Sequence, residues 1–70
     1  MGVSWTPSVE EMARRPVAEQ IEREFSGVVA WYGRFTRAWW AVVPGHRVVW
    51  LVEASDPRSL REVIMNARGR

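Results

Sequence analysis

The apolar residues of this chain follow a helical spacing, then an alternating spacing, and then a helical spacing again. Within residues 16–25 they recur every three to four positions among charged residues, which predicts a helix. Because the residue before a proline is biased away from helix, we expect only a short turn before Pro16 and the main helix after it. A second helix is predicted over Asp56–Ala67, with Asp56 as its cap and Pro57 at its first position.

Three strands are predicted between the helices. They cover Val28–Gly33, Ala38–Val43 and Arg47–Glu53, which are rich in β-branched and aromatic residues. Short turns at residues 34–36 and 44–45 join them, so neighbouring strands run antiparallel. The sequence therefore predicts an α+β fold of order α-β-β-β-α, with a three-stranded antiparallel meander sheet and both helices on one face.

Apolar side chains occupy both sets of alternating positions in these strands. Successive side chains point to opposite faces of a sheet, and a face that meets water is normally polar. Here both faces carry valine, alanine and tryptophan, and one face of so small a domain cannot enclose four large rings. We therefore predict that the sheet forms an interface with a second copy of the chain or with another protein. The candidate interface residues are Trp31, Trp39, Trp40 and Trp50.

The pattern leaves open which rings face outward. Trp39 and Trp40 are chain neighbours, so one of them must point away from the helices. Whether Trp31 or Trp50 lies on the same face as that ring depends on the strand register. The alternative explanation for the apolar excess is that the N-terminal arm covers the second face of the sheet. That arm would supply Trp5 and Met12.

Length and composition favour association. In a chain of 70 residues, ordering entropy nearly cancels the hydrophobic gain, so small domains need another source of stability. The chain has no cysteine and one histidine, which excludes disulfides and thiolate or histidine-rich metal sites. Oligomerisation or docking on a partner is then the remaining source of additional stability. We expect a flexible arm at residues 1–6, a single domain at residues 7–70, and no cofactor.

The charge of the chain is mild, with ten arginines, eight acidic residues and a net charge of +2. Arg34, Arg37 and Arg47 flank the predicted turns, where guanidinium groups are placed to contact phosphate. Aromatic rings among arginines can stack on unpaired bases, so nucleic-acid binding is an alternative function. These rings stand among valine and alanine, however, which favours protein packing.

Targeting and membrane signals are missing from the sequence pattern. No apolar run approaches the length of a membrane span, and the first residues do not resemble a signal peptide. We therefore expect a cytoplasmic protein without a membrane partner.

Residues for catalysis are sparse. His46 lies in a predicted turn without an orienting acid or a nucleophile motif beside it. Thr36 stands near Arg34 and Arg37, where a hairpin turn is favoured over a phosphate site, and glycine-rich phosphate loops are absent from the sequence. We therefore expect an adaptor or regulatory module and not an enzyme.

The strand-rich segment resembles a group of short actinobacterial proteins of uncharacterised function that share a W-x-G-x-x-T-x-x-W-W-A core and a closing L-x-E-A-x-x-P-x-x-L. The resemblance covers about residues 20–65 and implies no activity. The matching residues are Trp31, Gly33, Thr36, Trp39, Trp40, Ala41, Leu51, Glu53, Ala54, Pro57 and Leu60.

The predicted element order is also similar to that of double-stranded RNA-binding domains and of HicA-type toxins, which are small ribonucleases. The first family would imply a lysine cluster at the start of the last helix, where this chain reads SDPRSLRE. The second would imply a histidine at the start of the second strand, where this chain reads FTRAWW. The similarity is therefore one of element order, which carries little functional information.

Overall fold

The computed structural model describes residues 9–69, with side chains from residue 12 onward. The elements form one antiparallel sheet in the order β1-β2-β3, preceded and followed by a helix, so the predicted α+β class and α-β-β-β-α order are confirmed. The predicted arm at residues 1–6 and its Trp5 lie outside the described residues. The elements are α1 (Val9–Glu24), β1 (Val29–Gly33), β2 (Ala38–Pro44), β3 (Val49–Ala54) and α2 (Pro57–Arg68).

The first helix is longer than the sequence predicts. It runs without interruption through Pro16, so the expectation that the main helix begins at that proline is wrong. A proline inside a helix removes the hydrogen bond to the carbonyl four residues earlier, here that of Met12. Both residues are exposed, so water can satisfy that carbonyl, while Ala18 and Ile21 anchor the following turn in the core. Tertiary packing thus overrides the local preference of the proline.

The hydrophobic core lies between the helices and one face of the sheet, which we call the inner face. The first helix packs on β1 and the second on β2 and β3, as expected for helices on a single face. Alternate strand residues point into this layer and leave their neighbours on the opposite side. The buried core residues are Ala18, Ile21, Val28, Ala30, Trp39, Ala41, Val43, Leu60, Ile64 and Ala67.

The second helix begins as the sequence predicts. Asp56 is the N-cap, its Oδ1 accepts a hydrogen bond from the Ser59 backbone N–H at 2.8 Å, and Pro57 occupies the first helical position. That hydrogen bond stabilises the carboxylate and lowers the pKa of Asp56 below its ordinary value. The cap is confirmed, and it fixes where the chain leaves β3 and enters α2.

Glu24 of α1 and Arg61 of α2 form an ion pair between the two helices. The Arg61 guanidinium donates from Nε to Glu24 Oε1 at 2.8 Å and from Nη2 to Oε2 at 3.1 Å. The hydrogen bonds from Arg61 lower the pKa of the Glu24 carboxyl. This two-point contact connects the end of α1 to the first half of α2, beside the core rather than within it.

Candidate functional site

The sheet face opposite the helices is almost entirely apolar, and we call it the outer face. Within the described residues both helices lie on the inner face, so the outer face is open to solvent. Val29, Val49 and Leu51 are 54%, 68% and 61% exposed, respectively. The outer face consists of Val29, Trp31, Trp40, Val42, Val49, Leu51 and Glu53.

The strand register divides the four candidate tryptophans between the two faces. Trp31 and Trp40 are cross-strand partners on the outer face, where Trp31 is 39% exposed. Trp39 is only 5% exposed and packs edge-on against Tyr32 with ring centroids 5.3 Å apart, and Trp50 packs against the same core. The part of the predicted interface that can meet another protein is therefore Trp31 and Trp40.

The Trp40 ring is held against the sheet by the turn that precedes its strand. Its Nε1 donates to Thr36 Oγ1 at 2.9 Å, and that hydroxyl donates to the Gly33 carbonyl at 3.2 Å. A Cβ at Gly33 would lie 2.8 Å from Trp40 Nε1 and 2.7 Å from Thr36 Oγ1, so only glycine leaves room for the ring. The Gly33, Thr36 and Trp40 positions of the sequence motif thus form one local unit that fixes an outer-face ring.

This unit also settles the use of the Thr36 hydroxyl. It accepts from the Trp40 indole and donates its proton to Gly33, so in this arrangement it has no proton to offer a phosphate. The hairpin-turn interpretation of Thr36 is therefore supported by the geometry, and the phosphate interpretation is not.

The three candidate arginines do not form one site. Arg34 and Arg37 belong to the β1–β2 turn, while Arg47 belongs to the β2–β3 turn with the exposed His46. These turns lie at opposite ends of β2, whose seven residues span about 20 Å. Arg34 lies over the ring of Phe35, with its Cζ 5.1 Å from the ring centroid. A single phosphate group therefore cannot bridge the two turns.

The two edges of the sheet differ in chemistry. At the β1 edge the Ala30 N–H donates to Glu22 Oε2 at 2.9 Å, so a side chain of α1 occupies a backbone donor of the edge strand. The groove between α1 and β1 has a volume of about 460 Å³ and its helical wall is charged. The charged residues that line it are Arg14, Arg15, Glu19 and Glu22.

The corresponding groove at the β3 edge is mainly apolar. It has a volume of about 290 Å³ and lies between β3 and α2, and among the described residues Glu53 is the only ionisable one that lines it. Sequence reasoning could not find either groove, because each depends on where a helix crosses the sheet. The apolar lining residues are Trp50, Val52, Val63 and Ala67.

Comparison with protein-family models, with curated proteins and with solved structures finds no significant match to this chain. The resemblance to short actinobacterial proteins therefore stays a prediction. No helix within the described part of the chain has the length and apolar character needed to cross a membrane. The same residues contain no group of three or more His, Cys, Asp or Glu side chains that could hold a metal ion. The outer face and the sheet edges are thus the features from which a function can be argued.

Proposed function

We propose that the chain is a small non-enzymatic interaction module, an adaptor or regulator of the cytoplasm, that packs its outer face against a second copy of itself or another protein. The observation that carries the proposal is that Val29, Trp31, Val49 and Leu51 are all exposed on this one face of the sheet. Contiguous apolar patches of this kind mark interaction sites on soluble proteins. A face that only met water would alternate with polar side chains instead.

The outer face has the physical properties of a binding surface. Burying apolar area is favourable by about 25 cal/mol per Å², and aromatic side chains contribute the largest areas. The contact of Trp40 with Gly33 and its hydrogen bond to Thr36 fix the ring before any partner arrives. A ring that is already ordered loses little entropy on binding, so the surface is preorganised.

Sedimentation equilibrium at low and moderate salt tests the proposal. We expect the protein to associate, and we expect salt to leave that association unchanged or to strengthen it, because the surface is apolar. Trp31→Ser should weaken the association, since it removes an exposed outer-face ring. Phe35→Ser is the matched control, because Phe35 is 90% exposed but belongs to the β1–β2 turn.

Binding of an oligonucleotide in the same experiment would support the alternative function. A monomer that binds nucleic acid with a steep loss of affinity as salt rises would contradict the proposal, because that dependence reports the release of counterions from phosphates. Loss of that binding in Arg34→Ala, Arg37→Ala or Arg47→Ala would then locate the phosphate contacts.

A further inference from the structure

We propose that the β3 edge is a second interaction surface, at which two copies of the chain pair their β3 strands antiparallel about a two-fold axis at Leu51. The product is one continuous six-stranded sheet with the outer faces of both copies on the same side. This inference concerns the edge of the sheet and does not depend on what covers the outer face.

The backbone groups that would pair can be identified from the register. The Ala30 N–H points away from β2, because it donates to Glu22 of α1. Its partner Ala41 therefore directs its backbone groups toward β3, where it pairs with Val52. The direction of the backbone N–H and C=O groups alternates along a strand. In β3 the groups of the residues on either side of Val52 therefore point away from β2, toward the open edge of the sheet. The outward-directed residues are Val49, Leu51 and Glu53.

Within residues 9–69 a side chain shields the β1 edge at Ala30, and no comparable contact shields the β3 edge. Natural sheets shield an edge strand by placing charged groups against its unpaired backbone, as Glu22 does at Ala30. Among the residues that the structure describes, no side chain forms a hydrogen bond with Val49, Leu51 or Glu53. An unshielded edge lined by apolar side chains is a template for another strand.

Charge complementarity selects a second copy as the occupant. With Leu51 opposite Leu51 of the second copy, Val49 lies opposite Glu53 of the second copy. Arg47 belongs to the turn two residues before Val49, with φ 62°, so at the end of the paired strands its long side chain can reach diagonally to that Glu53. Glu53 has no ion-pair partner among the described residues, and the two-fold axis creates the contact twice.

The packing of α2 leaves room for this arrangement. The helix packs on both β2 and β3, which places its axis between the two strands and inside the β3 edge. For an axis midway between strands about 4.8 Å apart, pairing two β3 strands brings the two α2 axes about 10 Å apart, within the usual range for packed helices. Among the described residues that line this edge, α2 contributes Val63, Asn66 and Ala67, none of which is charged.

Single-cysteine variants test the pairing, because the native chain has no cysteine. In the proposed register the two Leu51 Cα atoms are about 5.5 Å apart, a separation that suits a disulfide. Val49 of one copy lies opposite a residue four positions away from Val49 of the other copy. The two Val49 Cα atoms are therefore about 14 Å apart, which is too far for a disulfide. We expect oxidation to convert Leu51→Cys to a covalent dimer at least tenfold faster than Val49→Cys, although Val49 is more exposed.

Two outcomes would overturn the proposal. Equal rates of cross-linking for Leu51→Cys and Val49→Cys would exclude the proposed register. Val29 lies on β1, at the other edge of the sheet, so an equal rate for Val29→Cys would indicate that the copies stack through their outer faces instead. The combination of Trp31→Ser with Leu51→Cys separates this proposal from the outer-face function. We expect the double variant to cross-link at the same rate as Leu51→Cys alone, even if Trp31→Ser abolishes association through the outer face.

Backbone and charge variants give an independent measurement. Leu51→Pro removes an outward N–H but no bond to β2, so it should raise the dimer dissociation constant at least tenfold above that of Leu51→Ala. Arg47→Glu and Glu53→Arg should each weaken the dimer, and the double exchange should restore it. Failure of the double exchange in folded protein would contradict the diagonal contact. Circular dichroism verifies that each variant is folded.

Discussion

Trp40 and Thr36 form a hydrogen bond of 2.9 Å from the indole Nε1 to the hydroxyl oxygen, across the turn that leads into β2. The bond gives the polar edge of an outer-face ring a partner within its own hairpin. The rest of the ring can then present apolar surface without leaving an unsatisfied donor when another protein covers it. The relationship thus prepares an exposed tryptophan for burial.

Removal of the hydroxyl should be measurable. Thr36→Val keeps the shape of the side chain but leaves the Trp40 Nε1 without its acceptor, so we expect a loss of about 1 kcal/mol in the free energy of unfolding. Thr36→Ser keeps the hydroxyl and is the control. Urea denaturation followed by tryptophan fluorescence measures both, and equal losses in the two variants would show that the hydrogen bond does not contribute.

Addition of a methyl group at Gly33 should disturb the same ring. The new Cβ would lie less than 3.0 Å from both Trp40 Nε1 and Thr36 Oγ1, so the ring must move. Overpacking of this kind costs about 1–3 kcal/mol. Gly69→Ala is the matched control, because a Cβ there has its nearest contact at 3.6 Å. Thermal denaturation of the two variants should show destabilisation in Gly33→Ala alone.

The tryptophans of the two faces should respond oppositely to truncation. Trp39→Ala empties a buried core position and should cost about 3–5 kcal/mol, enough to unfold much of the protein. Trp31→Ala removes an exposed ring and should leave the monomer folded while it weakens association. Circular dichroism together with sedimentation distinguishes these effects. A folded Trp39→Ala monomer of unchanged stability would contradict the assigned register.

The Asp56 cap makes stability depend on pH. The pKa of Asp56 is lowered in the folded state, chiefly by the hydrogen bond from the Ser59 N–H. Its contribution is therefore fully present above the ordinary carboxyl pKa and is lost as the pH falls through the lowered value. Asp56→Asn keeps a capping acceptor without the titrating charge, so we expect its melting temperature to fall less on acidification. If the melting temperature of Asp56→Asn falls with pH as steeply as that of the unsubstituted protein, other carboxyl groups determine the loss of stability in acid.

The strands and their turns could be predicted from the sequence because their signals are local. Alternating apolar residues and turn formers placed β1, β2 and β3 within one or two residues of their observed ends. The start of α1 could not be predicted, because the rule for Pro16 describes an isolated chain, whereas the helix is stabilised by Ile21 against the sheet. Local preference was outweighed by packing.

The orientation of the tryptophans lay beyond the sequence for a different reason. Both alternating sets are apolar, so the pattern contains no information about which set the helices cover. That choice places Trp39 inside and Trp40 outside. The contact between Glu22 and the Ala30 N–H is equally inaccessible, because it depends on the path of α1 past the β1 edge.

The order in which the elements pack also determines which surfaces are exposed while the protein folds. Each element packs on its neighbour in the chain, and the Glu24–Arg61 ion pair is a contact between residues 37 positions apart. Contacts between chain neighbours close small loops, which favours rapid folding. The helix α2 follows the three strands, however, and until it packs, the inner sides of β2 and β3 are exposed as well as their outer sides. A folding intermediate that lacks α2 would therefore expose apolar surface on both sides of the sheet, which favours aggregation and binding by chaperones.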